Sequence, residues 1–199
     1  TTIVFVTEGD LWKVPVAGGV ATRLTSHPGD ESQPAISPDG SRVAFTAEYD
    51  GTQEIYVMPL AGGQPRRLTF DGSPRCGVAG WTPDGKVLAF TDKFSTLPNM
   101  QLTTIDPADG TRAVVPLWQA SDGAVSEAGV LAFVRLPFQG SATKRYKGGF
   151  IQQLWRFAPG DAEATALTAD FPGASKRPMW ANGRIYFVSD RDGHMNVWS

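Results

Sequence analysis

Two nearly identical nonapeptides, SPDGSRVAF at residues 37–45 and TPDGKVLAF at residues 82–90, decide the fold of this chain. In both, Pro-Asp-Gly precedes an apolar run, and the two copies lie 45 residues apart. Asp-Gly between apolar runs is a strong signal for a β-hairpin, because the turns that suit a hairpin require positive φ. The chain therefore repeats one hairpin at a fixed interval.

Three sequence markers show that the repeat runs through the whole chain. Each apolar run carries an aromatic residue, a polar–apolar–aromatic triplet follows it, and a Leu-Thr pair closes the unit. A period of about 40–50 residues with four short strands per unit is typical of a β-propeller. The third unit has Gln101-Leu102-Thr103 in place of the aromatic triplet. The aromatic residues are Phe5, Phe45, Phe90, Phe133 and Phe187, the triplets are Asp10-Leu11-Trp12, Glu54-Ile55-Tyr56, Gln153-Leu154-Trp155 and Asn196-Val197-Trp198, and the pairs are Leu24-Thr25, Leu68-Thr69 and Leu167-Thr168.

The repeat predicts an all-β fold, a β-propeller of four-stranded antiparallel blades with almost no helix. We expect 18 strands, which make about four and a half blades and indicate a fragment of a six-bladed propeller. Such a fragment has two open strand edges, which invite self-association with another copy. Blades are expected at residues 33–70, 78–117 and 122–168, the last with a long insertion at 136–150, and partial blades at 1–26 and 178–199.

Composition excludes several classes of protein. The 199 residues are 41% hydrophobic and carry a net charge of −2, so the sequence does not predict a basic surface that would bind nucleic acid. No apolar run approaches the length of a membrane span, and the first residues do not resemble a signal peptide. A single cysteine, Cys76, excludes an internal disulfide and favours a reducing compartment.

The repeat units resemble those of tricorn proteases and of the Tol–Pal protein TolB. The resemblance rests on the two Pro-Asp-Gly units, followed by Ile55-Tyr56-Val57 and Arg67-Leu68-Thr69. Residues 141–149, which lead into Gln153-Leu154-Trp155, resemble the long basic insertion in the first propeller of tricorn proteases. Residues 183–193 resemble the blade after that insertion, and Val78-Ala79-Gly80-Trp81 also fits.

The resemblance to tricorn proteases implies a function for the whole segment. In that family a six-bladed propeller is the N-terminal domain of a large cytosolic serine peptidase, and the propellers are channels that admit or release short peptides. The chain is then a non-catalytic part of a peptidase, with short peptides and the rest of the parent polypeptide as partners. Two alternatives remain open: a TolB-like interaction module in the periplasm, or a propeller appended to another hydrolase, such as an amidohydrolase or a prolyl-oligopeptidase-like enzyme.

Propeller geometry predicts which face of the molecule carries function. Turns between first and second strands and between third and fourth strands share one face and are short here. The longer segments 26–32, 70–77, 93–100, 136–150 and 169–177 share the other face, and binding residues are common on such loops. Six basic residues on this face are candidates to bind carboxylates such as peptide C-termini, although ordinary surface charge is the alternative. These residues are Arg75, Lys144, Arg145, Lys147, Lys176 and Arg177, of which Arg75 is the strongest candidate because its loop leads directly into an inner strand.

Several motifs imitate catalytic or metal sites, and each has a structural explanation. Residues 80–86 imitate a phosphate-binding loop, but Val87 replaces the required Ser or Thr and a hairpin is expected. Ser141-Ala-Thr-Lys144 lacks the helix that a Ser-x-x-Lys site needs, and residues 190–193 lack the Glu of a calcium loop.

Arg75 could lower the pKa of Cys76, yet a buried structural thiol is favoured. His27 and His194 lie in loops of different blades, and the sequence predicts no metal, cofactor or catalytic residue.

The recurring large aromatic residues have a structural interpretation too. They stand at the same blade positions in successive units, so we expect them to pack between blades rather than to form a stacking site for a ligand. The residues are Tyr56, Trp81, Trp155, Trp180 and Trp198.

Overall fold

The computed structural model describes residues 2–94, 99–137 and 148–199, and these form five antiparallel sheets. Three sheets have four strands, and the first and last have three, as the repeat predicts. The described residues contain no α-helix, and therefore none that could cross a membrane. Blade 1 consists of β1 Thr2–Thr7, β2 Asp10–Pro15 and β3 Thr22–Arg23, and blade 2 of β4 Glu31–Ile36, β5 Arg42–Ala47, β6 Glu54–Pro59 and β7 Arg66–Arg67. Blade 3 consists of β8 Cys76–Trp81, β9 Val87–Thr91, β10 Gln101–Ile105 and β11 Arg112–Val114, and blade 4 of β12 Asp122–Val125, β13 Leu131–Val134, β14 Leu154–Phe157 and β15 Thr165–Ala166. Blade 5 consists of β16 Ser175–Ala181, β17 Arg184–Ser189 and β18 Asn196–Trp198.

The Pro-Asp-Gly turns close the first hairpin of blades 2 and 3. Gly40 and Gly85 adopt positive φ of 70° and 83°, which a residue with a Cβ rarely tolerates. In the first turn, the Ser37 hydroxyl donates a hydrogen bond to the Asp39 carboxylate, and the Ser41 hydroxyl donates another. These bonds hold the pKa of Asp39 below its usual value. The quoted nonapeptide is therefore a hairpin that stabilises its own turn.

The hydrophobic core lies between the facing surfaces of neighbouring sheets. One cluster joins Ala44, Ile55 and Val57 of blade 2 to Val78 and Ile105 of blade 3, all of them buried. A second joins Leu11 of blade 1 to blade 2, and a third joins blades 3 and 4. Each blade therefore depends on its neighbours to bury its apolar faces, as expected for a propeller.

Two tryptophans connect consecutive blades through hydrogen bonds. Trp81 Nε1 in β8 donates to the Ala35 carbonyl in β4 at 2.8 Å, and Trp180 Nε1 in β16 donates to the Ala124 carbonyl in β12 at 3.0 Å. Both rings are partly buried. The interpretation of these recurring tryptophans as packing between blades is confirmed.

The first strands of blades 2 to 5, which we call the inner strands, are β4, β8, β12 and β16. Each contacts the next around the fold. Three of them begin two or three residues before the starts predicted at positions 33, 78 and 178, namely at Glu31, Cys76 and Ser175. In β4 and β16 the physical reason is a β-bulge at the predicted start, which lets pairing continue past a residue that interrupts the regular pattern.

Candidate functional site

A cavity of about 490 Å³ lies where the inner strands meet. Residues of β4, β8, β12 and β16 all line it, so the cavity lies on the axis around which the blades are arranged. Its walls are largely apolar, made of Pro, Val, Ala, Phe and Met side chains. A concave, mostly apolar cavity of this size with a few polar groups has the usual properties of a ligand site. The polar residues that line it are Gln33, Ser121, Asp122, Gln152, Lys176 and Arg177.

Asp122 is the single acidic residue that lines this cavity in the described part of the chain. It is the first residue of β12, and the Gly123 main-chain N–H donates to its carboxylate. Burial raises the pKa of Asp122 to about 6, although the charge of Arg177 and the Gly123 hydrogen bond act in the opposite direction. The carboxylate is therefore ionised at neutral pH, and the unfavourable burial of its charge is only partly offset by Arg177 and Gly123.

Arg177 and Lys176 bring positive charge to the same cavity from β16. Both residues were expected in the loop at 169–177, and that placement is wrong, because both lie inside β16 and Arg177 lies at its bulge. The bulge holds Arg177 at a φ of 52°, directly before Pro178. Burial is the main cause that lowers the pKa of Lys176, and the neighbouring charge of Arg177 lowers it further.

Gln33 in β4 has the same local structure as Arg177. It also has a φ of 52°, precedes a proline, and lies at the bulge of its strand. Its Oε1 accepts a hydrogen bond of 2.9 Å from the Thr46 hydroxyl, whose oxygen accepts another from the Val78 N–H of blade 3. On the other side of the cavity, Gln152 Nε2 donates to the Leu136 carbonyl at 3.1 Å. Both amides are thus held in place by the scaffold.

Arg75, the strongest candidate from the sequence, is not among the residues that line the cavity. It is exposed and directly precedes β8, and its main-chain N–H donates to Ser73 Oγ at 3.1 Å. Lys144, Arg145 and Lys147 fall outside the described residues, so their role stays a prediction. The structure thus brings together two of the six basic candidates, Lys176 and Arg177, and adds Asp122, Gln33 and Gln152. The sequence did contain a signal for part of this set, because Gln33-Pro34 and Arg177-Pro178 occupy equivalent places in their blades.

The thiol of Cys76 is structural. It is 1% exposed and lies in the core cluster between blades 2 and 3. Burial, followed by the nearby charges of Asp71 and Glu54, raises its pKa to about 12. A thiol protonated at neutral pH is a poor nucleophile, which confirms the structural interpretation.

The remaining motifs have local roles. Residues 80–86 form the β8–β9 hairpin, as predicted. In the turn at 190–193, Asp190 accepts from the Ala174 N–H at 3.0 Å, and Asp192 accepts from Asn196 Nδ2 at 2.7 Å, so both carboxylates stabilise the turn. The ring of His27 packs against the ring of Tyr49, with centroids 4.0 Å apart and planes tilted by 40°. The Ser141–Lys144 motif lies outside the described residues.

Comparisons with known proteins agree with this architecture. The sequence model of the tricorn protease N-terminal β-propeller domain matches residues 1–199. Tricorn protease homolog 1 of Streptomyces coelicolor is 35% identical over 198 residues, which cover 99% of this chain and 19% of that protein. The chain thus spans about a fifth of the length of that relative.

Solved structures with the same fold are also known. The crystal structure of the tricorn protease superposes with a TM-score of 0.84 at 24% identity, over 98% of this chain and 20% of that one. The structure of a TolB from Agrobacterium tumefaciens superposes with a TM-score of 0.75 at 20% identity, over 94% of this chain and 65% of that one. At these identities the two similarities show the fold alone.

Proposed function

Because the chain belongs to the family of tricorn protease N-terminal β-propeller domains, we propose that its axial cavity is a passage or gate for short peptides. The chain itself carries out no chemistry in this proposal. Hydrolysis belongs to a catalytic region of a longer serine peptidase in the cytoplasm. The observation that carries the proposal is the axial cavity, which all four inner strands line and to which β4, β12 and β16 contribute charged or amide side chains.

The chemistry of the cavity suits an extended peptide. A peptide presents backbone amides along its length and a carboxylate at one end, and the cavity offers two side-chain amides, Gln33 and Gln152, and a guanidinium, Arg177. Guanidinium groups bind carboxylates through charge-assisted hydrogen bonds, which are stronger than neutral ones. The apolar walls can contact side chains of many kinds, so the site favours peptides as a class over one particular sequence.

Peptide binding to the 199-residue chain tests the proposal. We expect tetra-alanine, added to the ¹⁵N-labelled chain, to shift the NMR signals of Gln33, Asp122, Gln152 and Arg177. Arg177→Ala should weaken binding about tenfold, the usual effect of losing a hydrogen bond to a charged group. Arg66→Ala is the matched control, because Arg66 is exposed on the outermost strand of blade 2. Absence of binding, or shifts confined to residues away from the cavity, would reject the proposal.

We also propose that the five blades belong to a six-bladed propeller completed by other parts of a longer polypeptide. Support comes from the two three-stranded sheets, whose edge strands β1 and β18 expose apolar side chains, with Ile3 48% and Val197 63% exposed. The relative from Streptomyces coelicolor, about five times longer than this chain, also supports it. A structure of the natural polypeptide would count the blades directly, and any number other than six would overturn this assignment.

A further inference from the structure

The axial cavity contains charges of opposite sign on neighbouring blades. Asp122 begins β12 of blade 4, while Lys176 and Arg177 lie near the start of β16 of blade 5, and these two inner strands are in contact. Arg177 is close enough for its charge to lower the pKa of Asp122. A ligand in this cavity therefore meets a negative group on one blade and positive groups on the next.

The Asp122 carboxylate has acceptor capacity that the described residues do not use. An ionised carboxylate has about four acceptor positions. In the described part of the chain, the Gly123 N–H is the one donor that contacts it, and no side chain there donates a hydrogen bond to it. A partly buried charge with few hydrogen-bond partners costs free energy, because it has lost contact with water. A ligand that supplies N–H donors at this position would recover part of that free energy on binding.

We propose that Asp122 is a subsite for a primary ammonium group of the bound peptide. This inference rests on the proposed function, since it names the part of a peptide that the cavity recognises. An ammonium carries one positive charge and three N–H donors, which match the charge and the open acceptor positions of the carboxylate. Gln152 lines the same cavity, and because its Nε2 is bound to the Leu136 carbonyl, its amide oxygen is the group that would accept from the ammonium.

The subsite would give a bound peptide a direction. If the ammonium is bound at Asp122 on blade 4, the carboxylate of a short peptide is left to interact with Arg177 on blade 5. The two sources of a peptide ammonium are the free N-terminus and a lysine side chain. Both have the same chemistry, so the experiment must separate them.

Three peptides and two variants test the subsite. The peptides are tetra-alanine, N-acetyl-tetra-alanine, and N-acetyl-Ala-Ala-Lys-Ala, titrated into the 199-residue chain by calorimetry or NMR. We expect acetylation of tetra-alanine to weaken binding about tenfold, and Asp122→Asn to weaken tetra-alanine to the same level. Recovery of affinity by the lysine peptide would assign the subsite to a side chain as well. Glu127→Gln is the matched control, because Glu127 is exposed at the opposite end of the same blade.

The outcomes separate this inference from the proposed function. If none of the peptides binds, the proposed function fails, and the inference fails with it. If tetra-alanine binds but acetylation changes its affinity by less than about twofold, the ammonium subsite alone is overturned. The comparison of free and acetylated peptides uses the unmodified chain, so it decides the question even if Asp122→Asn does not fold.

Discussion

Asp122 lowers the stability of the fold at neutral pH, because its charge is partly buried and has few compensating partners. Its pKa is about 6 in the folded chain, against 3.8 for an ordinary aspartate. The folded state therefore holds this proton more tightly than the unfolded state does. The stability that the neutral carboxyl provides is complete below about pH 4 and is lost as pH rises to about 6. Perturbed pKa values of this kind cluster at functional sites, in agreement with the proposed binding role of Asp122.

Replacement of Asp122 by Asn should raise stability at high pH and change it little at low pH. The variant lacks the buried charge, so we expect it to be more stable than the unmodified chain at pH 8 by at most about 3 kcal/mol. At pH 4 the difference should have shrunk to about 0.5 kcal/mol, because the carboxyl is then neutral in the folded chain. Urea unfolding at unit steps between pH 4 and pH 8 measures the difference. Glu127→Gln should show no such divergence, and parallel curves for Asp122→Asn would contradict the raised pKa.

Individual residues show where sequence reasoning succeeds and where it ends. Cys76 could be interpreted correctly, because a lone cysteine in an apolar repeat is most often a buried one. Arg177 could be chosen as a candidate and does line the cavity, but it was placed in a loop, because Arg-Pro normally interrupts a strand. Only the bulge geometry, with φ at 52° for both Gln33 and Arg177, shows that β4 and β16 continue through these positions. Asp122 gave no signal in the sequence, since its raised pKa comes from burial and is modified by its neighbours in space.

At the scale of the strands, the Leu-Thr marker has a definite structural role. The hydroxyls of Thr25, Thr69 and Thr168 accept the main-chain N–H of Leu11, Ile55 and Leu154 at 2.8, 2.9 and 3.0 Å. Each bond joins the segment after the last strand of a blade to the strand before it, in blades 1, 2 and 4. The sequence revealed that the marker repeats but not what it does, because each partner lies 14 residues away. The Pro-Asp-Gly turns, by contrast, were predictable because their hydrogen bonds are local.

Replacement of Thr69 by Val should destabilise blade 2. Thr69 is 1% exposed, so the change leaves the Ile55 N–H buried without an acceptor and also removes the hydrogen bond from the hydroxyl to Glu54. We expect a loss of about 2 kcal/mol in the free energy of unfolding, the usual cost of an unsatisfied buried donor. Thr22→Val in the exposed strand β3 is the control and should change little. Equal effects of the two substitutions in urea unfolding would show that the Thr69 hydrogen bonds add no stability.

At the scale of the whole molecule, ion pairs recur beside the outer strands of successive blades. Arg23 pairs with Asp10 in blade 1, and Arg67 pairs with Glu54 at 3.0 Å in blade 2. In blade 3 the equivalent acid is replaced by Gln101, and Arg112 instead pairs at 2.8 Å with Asp71 from the segment that connects blades 2 and 3. The repeat markers predicted the blades. They did not predict that Asp71 replaces the missing acid of blade 3, because that ion pair depends on a contact between blades, which a single sequence does not show.

The open strand edges lead to a prediction about assembly. β1 and β18 are the edge strands of the two three-stranded sheets, and both expose unpaired main-chain groups beside apolar side chains. Exposed edges of this kind pair with other chains unless a charge prevents it. We therefore expect the isolated chain to associate as its concentration rises through the micromolar range, and sedimentation velocity would detect this.

Val197→Lys places a charge on β18 and should shift the chain toward the monomer. Val20→Lys, at a residue 86% exposed in a loop away from both edges, should not. Since both variants add the same charge, equal effects would mean that net charge, not edge pairing, controls association.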